Sequence, residues 1–407
     1  MPVSHLLTWL IAALATAAVI LRPRKWPEAI WAVLGSLLLV FTGLLPVANA
    51  AQAVARGADV YFFLLGMMLL AELGRQFGVF DWLADWTLTR AQGSSDRLFR
   101  DLYLLGTLVT IFLSNDATAV VLTPAVLAVT RKARVHPLPY LFACAMIANA
   151  ASFVLPVSNP ANLVLYGGHM PALFPWLRRF LLPSLASIVA TYFCLKACFP
   201  LGDSPAIPRQ RTLLAGPGRI TLGGILLTGL ALLVVSAMDY PLGLPTCLLG
   251  LFTTGVVLIS TRTSPVPIVK GVSWLALLLV AGLFVLVESL SYTGAVTTLA
   301  ANLPASPILA GSLLALACNL FNNLPVGLLA SSVVAEAHPS RLMVDSLLIG
   351  LDLGPNLAVT GSLATILWLT ALRREGQEVS FSQFLRVGVK VMFPALLLAL
   401  LFRQIPS

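Results

Sequence analysis

Residues 113–122, Leu-Ser-Asn-Asp-Ala-Thr-Ala-Val-Val-Leu, place a polar cluster inside an otherwise apolar stretch. The same arrangement returns 207 positions later at residues 320–329, where the sequence is Leu-Phe-Asn-Asn-Leu-Pro-Val-Gly-Leu-Leu. A second pair of segments, 157–163 and 360–366, aligns with an offset of 203 positions. Two matching pairs at nearly the same offset indicate that the chain contains two related halves.

The composition around these segments is that of a membrane protein. Of the 407 residues, 58% are hydrophobic and only 10% are charged. Soluble domains have roughly 45–50% apolar and about 25% charged residues, so a water-soluble enzyme and a disordered chain are both excluded. At roughly 20 apolar residues for each crossing, the length suffices for about ten crossings and leaves no room for a sizeable soluble domain.

The net charge of +9 is explained by orientation in the membrane. If the N-terminus lies outside, twenty of the 25 Lys and Arg residues fall on the cytoplasmic side. This asymmetry follows the positive-inside rule and predicts a multi-pass protein of the inner (plasma) membrane with its N-terminus outside. The charge is therefore poor evidence for a nucleic-acid partner, and the lipid bilayer is the partner that it predicts.

The predicted orientation requires two segments, 97–134 and 305–337, to enter and leave the membrane on the same side. Each arm of these segments has about 12–16 apolar residues, or roughly 18–24 Å of helix, which is short of a hydrocarbon core of roughly 30 Å. We therefore predict an all-α polytopic membrane protein with two inverted repeats. It has about ten transmembrane helices plus two re-entrant helical hairpins.

Two further helices are predicted to break near the membrane midplane. Residues 138–166 contain Pro156 and Pro160, and residues 342–372 contain Gly354-Pro355 and Gly361. Proline removes a backbone donor, and irregular backbone at this depth is tolerated only where it is buried in protein or lines a cavity. Inverted repeats with interrupted helices are typical of secondary transporters. The domain prediction is residues 1–200 and 219–407 for the repeats, joined by a cytoplasmic linker at 201–218.

The polar residues of the two hairpin tips and the two breaks are expected to form one chamber. Asn, Ser and Thr side chains there supply donors and acceptors for a small polar solute, and helix N-termini at the tips point their N–H groups at it. The predicted binding residues are Ser114, Asn115, Asp116, Thr118, Ser158, Asn159, Asn162, Asn322, Asn323, Thr360, Ser362 and Thr365.

Carboxylates are scarce in the apolar segments, and a charged residue at mid-bilayer is functional by default. Asp116 is at a hairpin tip, and Asp352 precedes the second break. No Lys or Arg is present in either chamber-forming stretch to neutralise them. We predict that Asp116 carries the coupled proton, with Asp352 as the second candidate. Glu72 and Glu288 are expected to be scaffold residues.

At these motifs the sequence resembles the ArsB-type arsenite/antimonite efflux permeases of the ion transporter superfamily. The motifs that carry the resemblance are 112–124, 158–163, 322–325, 351–355 and 361–365. The resemblance implies outward movement of trivalent arsenic or antimony, as neutral hydroxides, in exchange for protons. It also implies an elevator motion of hairpins and broken helices against the remaining helices. Some hosts of such permeases add a soluble ATPase subunit.

The tips depart from those of carboxylate-carrying relatives, which have Ser-Asn-Thr at both. Here they are Ser114-Asn115-Asp116 and Phe321-Asn322-Asn323, and a carboxylate at the site would repel an anion. Asn356 stands where some arsenite permeases are expected to have a basic residue. A sodium/proton antiporter or an organic-anion carrier of the same superfamily remains the alternative.

No enzyme motif, no cofactor site and no protein-ligated metal site is predicted. The five cysteines all fall in apolar segments without a C-x-x-C spacing. Three thiolates would bind trivalent arsenic too tightly for release, whereas a transport site must bind weakly. We therefore predict that the cysteines are dispensable for transport.

Overall fold

A computed structural model describes residues 3–167, 170–201 and 213–405. Every regular element in these three ranges is a helix, which confirms the all-α prediction. The first half contains α1 (Val3–Leu21), α2 (Glu28–Phe41), α3 (Val47–Arg56), α4 (Ala58–Gln76), α5 (Val79–Ala91), α6 (Ser95–Phe112), α7 (Asn115–Ala117), α8 (Thr123–Ala133), α9 (Leu138–Ala150), α10 (Pro160–Tyr166) and α11 (Leu173–Cys198). The second contains α12 (Gly216–Ala237), α13 (Gly243–Thr261), α14 (Val266–Gly271), α15 (Trp274–Tyr292), α16 (Ala295–Ala301), α17 (Pro307–Phe321), α18 (Asn323–Ala337), α19 (Arg341–Leu353), α20 (Leu363–Arg374) and α21 (Phe381–Arg403).

The order of elements occurs twice along the chain. In each half, long apolar helices are followed by a short helix, a helical hairpin, a broken helix and a long closing helix. The hairpins are α6 with α7–α8, and α17 with α18. The broken helices are α9 with α10, and α19 with α20. Most of the predicted linker lies outside the described residues, so the boundary between the halves stays a prediction.

Six helices in the described ranges are long and apolar enough to cross a membrane: α1, α11, α12, α13, α15 and α21. The pair α3 and α4, bent by 46°, adds a seventh candidate if it is one span. The remaining three predicted crossings correspond to α2, which has 14 residues, and to the two broken helices. The sequence predicts each of these three crossings from a longer apolar segment, and in the folded chain each segment is interrupted by non-helical residues.

The sequence reading missed the short helices and misjudged the first hairpin. The helices α5, α14 and α16 occupy polar or short stretches between the apolar segments, so a search for apolar runs passes over them. The helix α6 has 18 residues, more than the 12–16 expected for a hairpin arm. It is longer because the polar turn that begins at Ser95 is also helical. Ser94 caps this turn, its side-chain oxygen accepting from the backbone N–H of Arg97.

The helices form two groups that we name by their members. The frame consists of α1–α4 and α12–α15, and the core bundle consists of α6–α11 and α17–α21. Within the frame the halves interlock, because α4 packs against α13 and α15 packs against α2. Gly250 on α13 faces α4 so closely that a β-carbon there would lie 2.7 Å from the Gly66 carbonyl oxygen. Small residues at such crossings allow membrane helices to pack backbone to backbone.

Individual helices differ in burial. Twelve of the thirteen residues of α9 are buried. Only four of the nineteen residues of α1 are buried, and the others are half-buried or exposed. A helix that is apolar and largely exposed faces lipid, whereas one that is buried all round lies inside protein. The helix α9 therefore lies inside the protein, and the two halves meet in the core bundle through the packing of α11 on α21.

Two acidic residues on frame helices form ion pairs. Glu288 pairs with Arg56, and Glu72 pairs with Arg75 and accepts from Gln76. Both glutamates lie on frame helices, and their role as scaffold residues stays a prediction.

The sequence reading missed a buried ion pair. Asp345 on α19 accepts hydrogen bonds from Arg403 at 2.6 Å and from the Tyr166 hydroxyl at 2.8 Å. Arg179 lies 3.8 Å from the same carboxylate. Since α10, α11, α19 and α21 each supply one of these residues, the cluster fixes one end of the core bundle.

Candidate functional site

The hairpin tips are shaped by their own polar side chains. At the first tip, the Ser114 hydroxyl accepts from the Ala117 N–H at 3.3 Å and the Asn115 amide oxygen accepts from the Asp116 N–H at 2.9 Å. At the second, the Asn322 amide oxygen accepts from the Leu324 N–H at 3.2 Å. These bonds satisfy the first N–H groups of α7 and α18, so both helices begin at the tips.

The first break is held open by two buried side chains. The Asn162 amide donates to the carbonyls of Ser152 and Pro156 at 2.9 and 3.2 Å. The Ser158 hydroxyl donates to the Ile111 carbonyl on α6 at 3.0 Å, which ties the break to the first hairpin. The carbonyls that the prolines leave without helical partners are thus satisfied within the protein.

The second break uses Asn319, a residue that the sequence reading missed. Its amide donates to the Gly354 carbonyl at 2.9 Å, and its amide oxygen accepts from the Ala358 N–H at 3.0 Å. The Thr360 hydroxyl donates back to the Asn319 carbonyl at 2.8 Å. The sequence did contain a signal for Asn319: it is a polar residue in the apolar helix α17, one turn before the second tip. That helix packs against the second break.

One cavity lies where the two tips and the two breaks meet. Of the twelve predicted binding residues, five line it: Asn115, Asp116, Asn159, Asn323 and Ser362. Each of the four predicted segments contributes at least one of them, so the structure brings the segments together. Three apolar residues of the frame, Leu64, Ala276 and Val280, complete the lining together with Pro160, Leu324, Leu363 and Ala364.

The other seven predicted residues lie behind the cavity lining and hold the backbone in place. Ser114, Ser158, Asn162, Asn322 and Thr360 bond to backbone groups of the tips and breaks. The Thr118 hydroxyl lies 2.8 Å from that of Thr110 on α6, and the Thr365 hydroxyl lies 2.8 Å from that of Ser362. Their geometry indicates a supporting role for the residues that line the cavity.

The cavity contains polar groups without partners. Asn323 is buried, and its amide oxygen has no hydrogen-bond partner among the described residues. Within the same part of the chain, the Asp116 carboxylate forms no ion pair, and neither Lys nor Arg belongs to the lining. A buried acceptor without a donor is costly in a native protein unless a ligand or water supplies the donor.

Asp352 lies behind the cavity and is connected to it by one bond. It is fully buried, and its carboxylate accepts from the Asn159 amide at 2.8 Å. Its second oxygen has no hydrogen-bond partner in the described ranges. Asn159 itself lines the cavity. The two predicted proton-coupling residues therefore differ in position: Asp116 borders the cavity directly, whereas Asp352 reaches it through one amide.

Asn356 joins the two halves instead of facing Asp352. Its amide oxygen accepts from Asn149 on α9 at 2.9 Å, and its amide donates to the Met146 carbonyl at 2.9 Å. The position where a basic residue was expected is therefore filled by an amide bonded to the other broken helix. The Asn159 amide and the Ser152 hydroxyl are the groups that hydrogen-bond the Asp352 carboxylate.

Membrane-length apolar helices, two broken helices and two hairpins around a small polar cavity together define a membrane transporter. The particular family follows from the sequence. The chain belongs to the citrate transporter (CitMHS) family, whose sequence profile matches residues 10–355.

Curated relatives cover nearly the whole chain. The arsenical pump membrane protein of Escherichia coli K12 is 27% identical over 426 aligned residues, covering 97% of both chains. An uncharacterized transporter of Mycobacterium tuberculosis is 27% identical over 374 residues, covering 84% of this chain and 85% of its own. Among solved structures, the YdaH transporter of Alcanivorax borkumensis matches with a TM-score of 0.57. At 16% identity, covering 90% of this chain and 88% of that one, it shows that the fold is shared.

Proposed function

We propose that the protein moves arsenite and antimonite out of the cytoplasm in exchange for protons. The observation that carries the proposal is the polar part of the cavity lining: amides, one hydroxyl and one carboxylate that forms no ion pair among the described residues, with no basic residue in the described lining. Such a lining suits a small neutral solute with several hydroxyl groups, and it disfavours an anion. The full-length likeness to arsenical pump membrane proteins supports the same substrate.

The chemistry of recognition follows from the donors and acceptors available. Arsenous acid is undissociated at neutral pH and has three hydroxyls, each a donor and an acceptor. The unpaired amide oxygen of Asn323 and the Asp116 carboxylate can accept from two of them. The Asn159 amide and the Ser362 hydroxyl add further polar contacts. No cysteine lines the cavity among the described residues, so the substrate can be released without breaking an arsenic–sulfur bond.

Exchange for protons follows if substrate and proton compete for Asp116. As a carboxylate, Asp116 accepts a charge-assisted hydrogen bond from a substrate hydroxyl, which is roughly twice as strong as a neutral one. As a carboxylic acid it loses that strength. Substrate binding from the cytoplasm therefore favours release of the proton, and protonation from outside favours release of the substrate. Asp352 is the second candidate, because the Asn159 amide connects it to the cavity.

Movement between the two sides would use the division between frame and core bundle. In the proposed elevator, the core bundle carries the cavity past the frame, and the two re-entrant hairpins expose it alternately to each side. The N-terminus lies outside the inner membrane in this arrangement. The proton gradient supplies the energy, and an ATPase subunit, where a host provides one, would act from the cytoplasm.

A carboxylate carrier is the second candidate, because the family is described by citrate transport. Against it stands the lining itself, in which Asp116 would repel a citrate trianion and no cation is present to attract one in the described part of the chain. A sodium/proton antiporter would also use Asp116. Competition experiments separate these candidates, since citrate or sodium should displace arsenite only if they share its site.

The proposal is tested in inside-out membrane vesicles that contain the protein and no ATPase subunit. We expect arsenite to accumulate when the vesicle interior is made acidic and not when the gradient is collapsed. Antimonite should compete, and citrate should not. Absence of arsenite uptake together with sodium-dependent loss of the gradient would contradict the proposal and favour the antiporter. Vesicles with the Asp116→Asn variant are the matched control, because they should show no arsenite uptake that depends on the gradient.

A further inference from the structure

The cavity is apolar on the frame side, whereas on the core-bundle side five polar residues lie beside Pro160, Leu324, Leu363 and Ala364. The frame contributes only Leu64 of α4 and Ala276 and Val280 of α15, which we call the apolar wall. Leu64 and Val280 are buried, and Ala276 is half-buried. None of these three side chains can donate or accept a hydrogen bond. A ligand in the cavity is therefore in contact with two different kinds of surface.

This division favours some ligands over others. Trivalent arsenic is pyramidal, so its three substituents point in different directions. A hydroxyl turned toward the apolar wall loses its hydrogen bonds to water and gains none in return. A methyl group in the same place loses nothing and gains contact with apolar side chains. A methyl group is also close in size to a hydroxyl, so the exchange needs little additional space.

We propose that the cavity also accepts monomethylated trivalent arsenic, as the neutral dihydroxide, with its methyl group against the apolar wall and its two hydroxyls toward the tips and breaks. The proposal rests on the proposed arsenite transport. It extends the substrate class from inorganic hydroxides to neutral trivalent organometalloids with one small apolar substituent. The two remaining hydroxyls match two acceptors of the lining: the Asn323 amide oxygen, which has no hydrogen-bond partner among the described residues, and the Asp116 carboxylate.

The wall makes the proposal testable by a nearly isosteric change. Val280→Thr places a hydroxyl on the apolar wall while keeping the side-chain volume, and its hydroxyl can bond to the helix carbonyl four residues earlier. Val287→Thr is the matched control, because Val287 is buried on the same helix two turns further on and does not belong to the lining. Ala276→Ser provides a second wall variant if Val280→Thr folds poorly.

The experiment measures gradient-dependent uptake of arsenite and of methylarsonous acid, separately, in inside-out vesicles. Only the gradient-dependent part counts, because thiol binding of organoarsenicals does not need a gradient. We expect the unchanged protein to accumulate both. Val280→Thr should lower the ratio of methylarsonous acid to arsenite uptake about tenfold, which is the lower end of the range by which single-group changes in apolar pockets discriminate substrates. Val287→Thr should leave the ratio unchanged.

The outcomes separate this inference from the proposed function. Arsenite uptake without methylarsonous acid uptake would overturn the inference and leave arsenite transport standing. Uptake of neither compound would overturn both. Uptake of both with the same ratio in the Val280→Thr, Ala276→Ser and unchanged proteins would overturn the role of the apolar wall. A lowered ratio in Val280→Thr and not in Val287→Thr would support it.

Discussion

The tips of the two hairpins reach the same cavity and present different groups to it. The first tip offers the carboxylate of Asp116, and at the equivalent position the second offers the amide of Asn323. The preceding residues, Asn115 and Asn322, are both amides that accept a backbone N–H of the helix that starts there. The asparagine common to both tips shapes the backbone there. The next residue differs, and only a carboxylate at that position can exchange a proton.

The arms behind the tips also differ, and the position of a proline explains the difference. After the first tip, residues Thr118–Leu122 form a π-helical turn directly before Pro124. The Thr118 carbonyl accepts from the Thr123 hydroxyl at 3.1 Å. In the second hairpin, Pro325 lies in the first turn of α18, where a helix needs no backbone N–H. That arm continues as a regular α-helix.

We expect the two tips to have different roles, since only the first carries a titratable group. A π-helical turn inside an α-helix is rare and frequently marks a functional site. Here it lies in the arm whose tip carries the carboxylate, so the irregular arm and the titratable group coincide. The second tip is regular and neutral, and it supplies an acceptor whose hydrogen-bonding state does not change with pH. Substitutions at the two tips should therefore differ in kind as well as in size.

The largest expected effect is that of Asp116→Asn. An amide of the same shape cannot release a proton, so gradient-driven arsenite uptake should fall to the level of vesicles without the protein. Arsenite should still bind to the purified variant but more weakly, because the neutral amide lacks the charge-assisted hydrogen bond of the carboxylate. Uptake as a function of imposed gradient, together with the amount of variant in the membrane, checks the prediction.

Asp352→Asn is the comparison for this prediction. Asp352 does not line the cavity and is connected to it through the Asn159 amide, so we expect reduced transport that still responds to the gradient. If Asp116→Asn transports normally and Asp352→Asn loses gradient dependence, the proton carrier lies behind the cavity. The contrast between the two tips would then not explain coupling.

The next effect concerns the two breaks. Asn162 is fully buried, and Asn162→Ala leaves carbonyls of the first break without donors. At about 1–3 kcal/mol for each buried unsatisfied group, we expect a loss of about 3 kcal/mol in the free energy of unfolding. Asn319→Ala should cost about half as much, because Asn319 is only half-buried and water can replace part of its bonding. Unfolding in detergent measures both.

The control for the breaks is Asn302→Ala. Asn302 is exposed, and its amide donates to the Thr298 carbonyl at the end of α16. Surface substitutions of this kind change stability by less than about 0.5 kcal/mol. Equal losses for Asn162→Ala and Asn302→Ala would mean that the first break does not depend on its buried amide.

The sequence predicts the tips and breaks because their polar residues stand out from apolar surroundings. Asn115, Asp116, Asn159, Asn323 and Ser362 were all identified in this way, and all line the cavity. The apolar wall carries no such signal, since Leu64, Ala276 and Val280 resemble every other apolar residue of a membrane helix. Their place in the cavity depends on how α4 and α15 pack against the core bundle, which periodicity does not reveal.

The buried Asp345–Arg403 pair was missed for a related reason. The two residues are 58 positions apart, and each occurs at the end of an apolar segment, where charged residues are common. The short helices α5 and α16 escaped because a search for membrane spans looks for long apolar runs. More residues were predicted to bind the ligand than line the cavity. A polar side chain near a break can face the cavity or hydrogen-bond to the backbone, and the sequence does not distinguish these two positions.

A smaller effect is expected when one amide is removed from either tip. Asn115→Ala and Asn323→Ala each delete one polar group from the lining. One neutral hydrogen bond contributes about 0.5–1.5 kcal/mol, so each variant should raise the KM for arsenite about two- to tenfold with gradient dependence retained. Concentration dependence of uptake measures this. A change at only one tip would mean that the substrate does not contact both hairpins.

The smallest effect is expected at a buried thiol of the second hairpin. Cys318 belongs to the second hairpin, one turn before its tip, and its sulfur lies 3.8 Å from the Leu351 carbonyl. It is buried and does not line the cavity, so it cannot ligate arsenic there without rearrangement of α17. Cys318→Ala removes one weakly bonded sulfur from the core and should change arsenite uptake less than about twofold. Loss of uptake in this variant, present at normal amounts in the membrane, would mean that the second hairpin handles arsenic through sulfur. The first hairpin would then contact the substrate through the Asp116 carboxylate and the second through the Cys318 thiol.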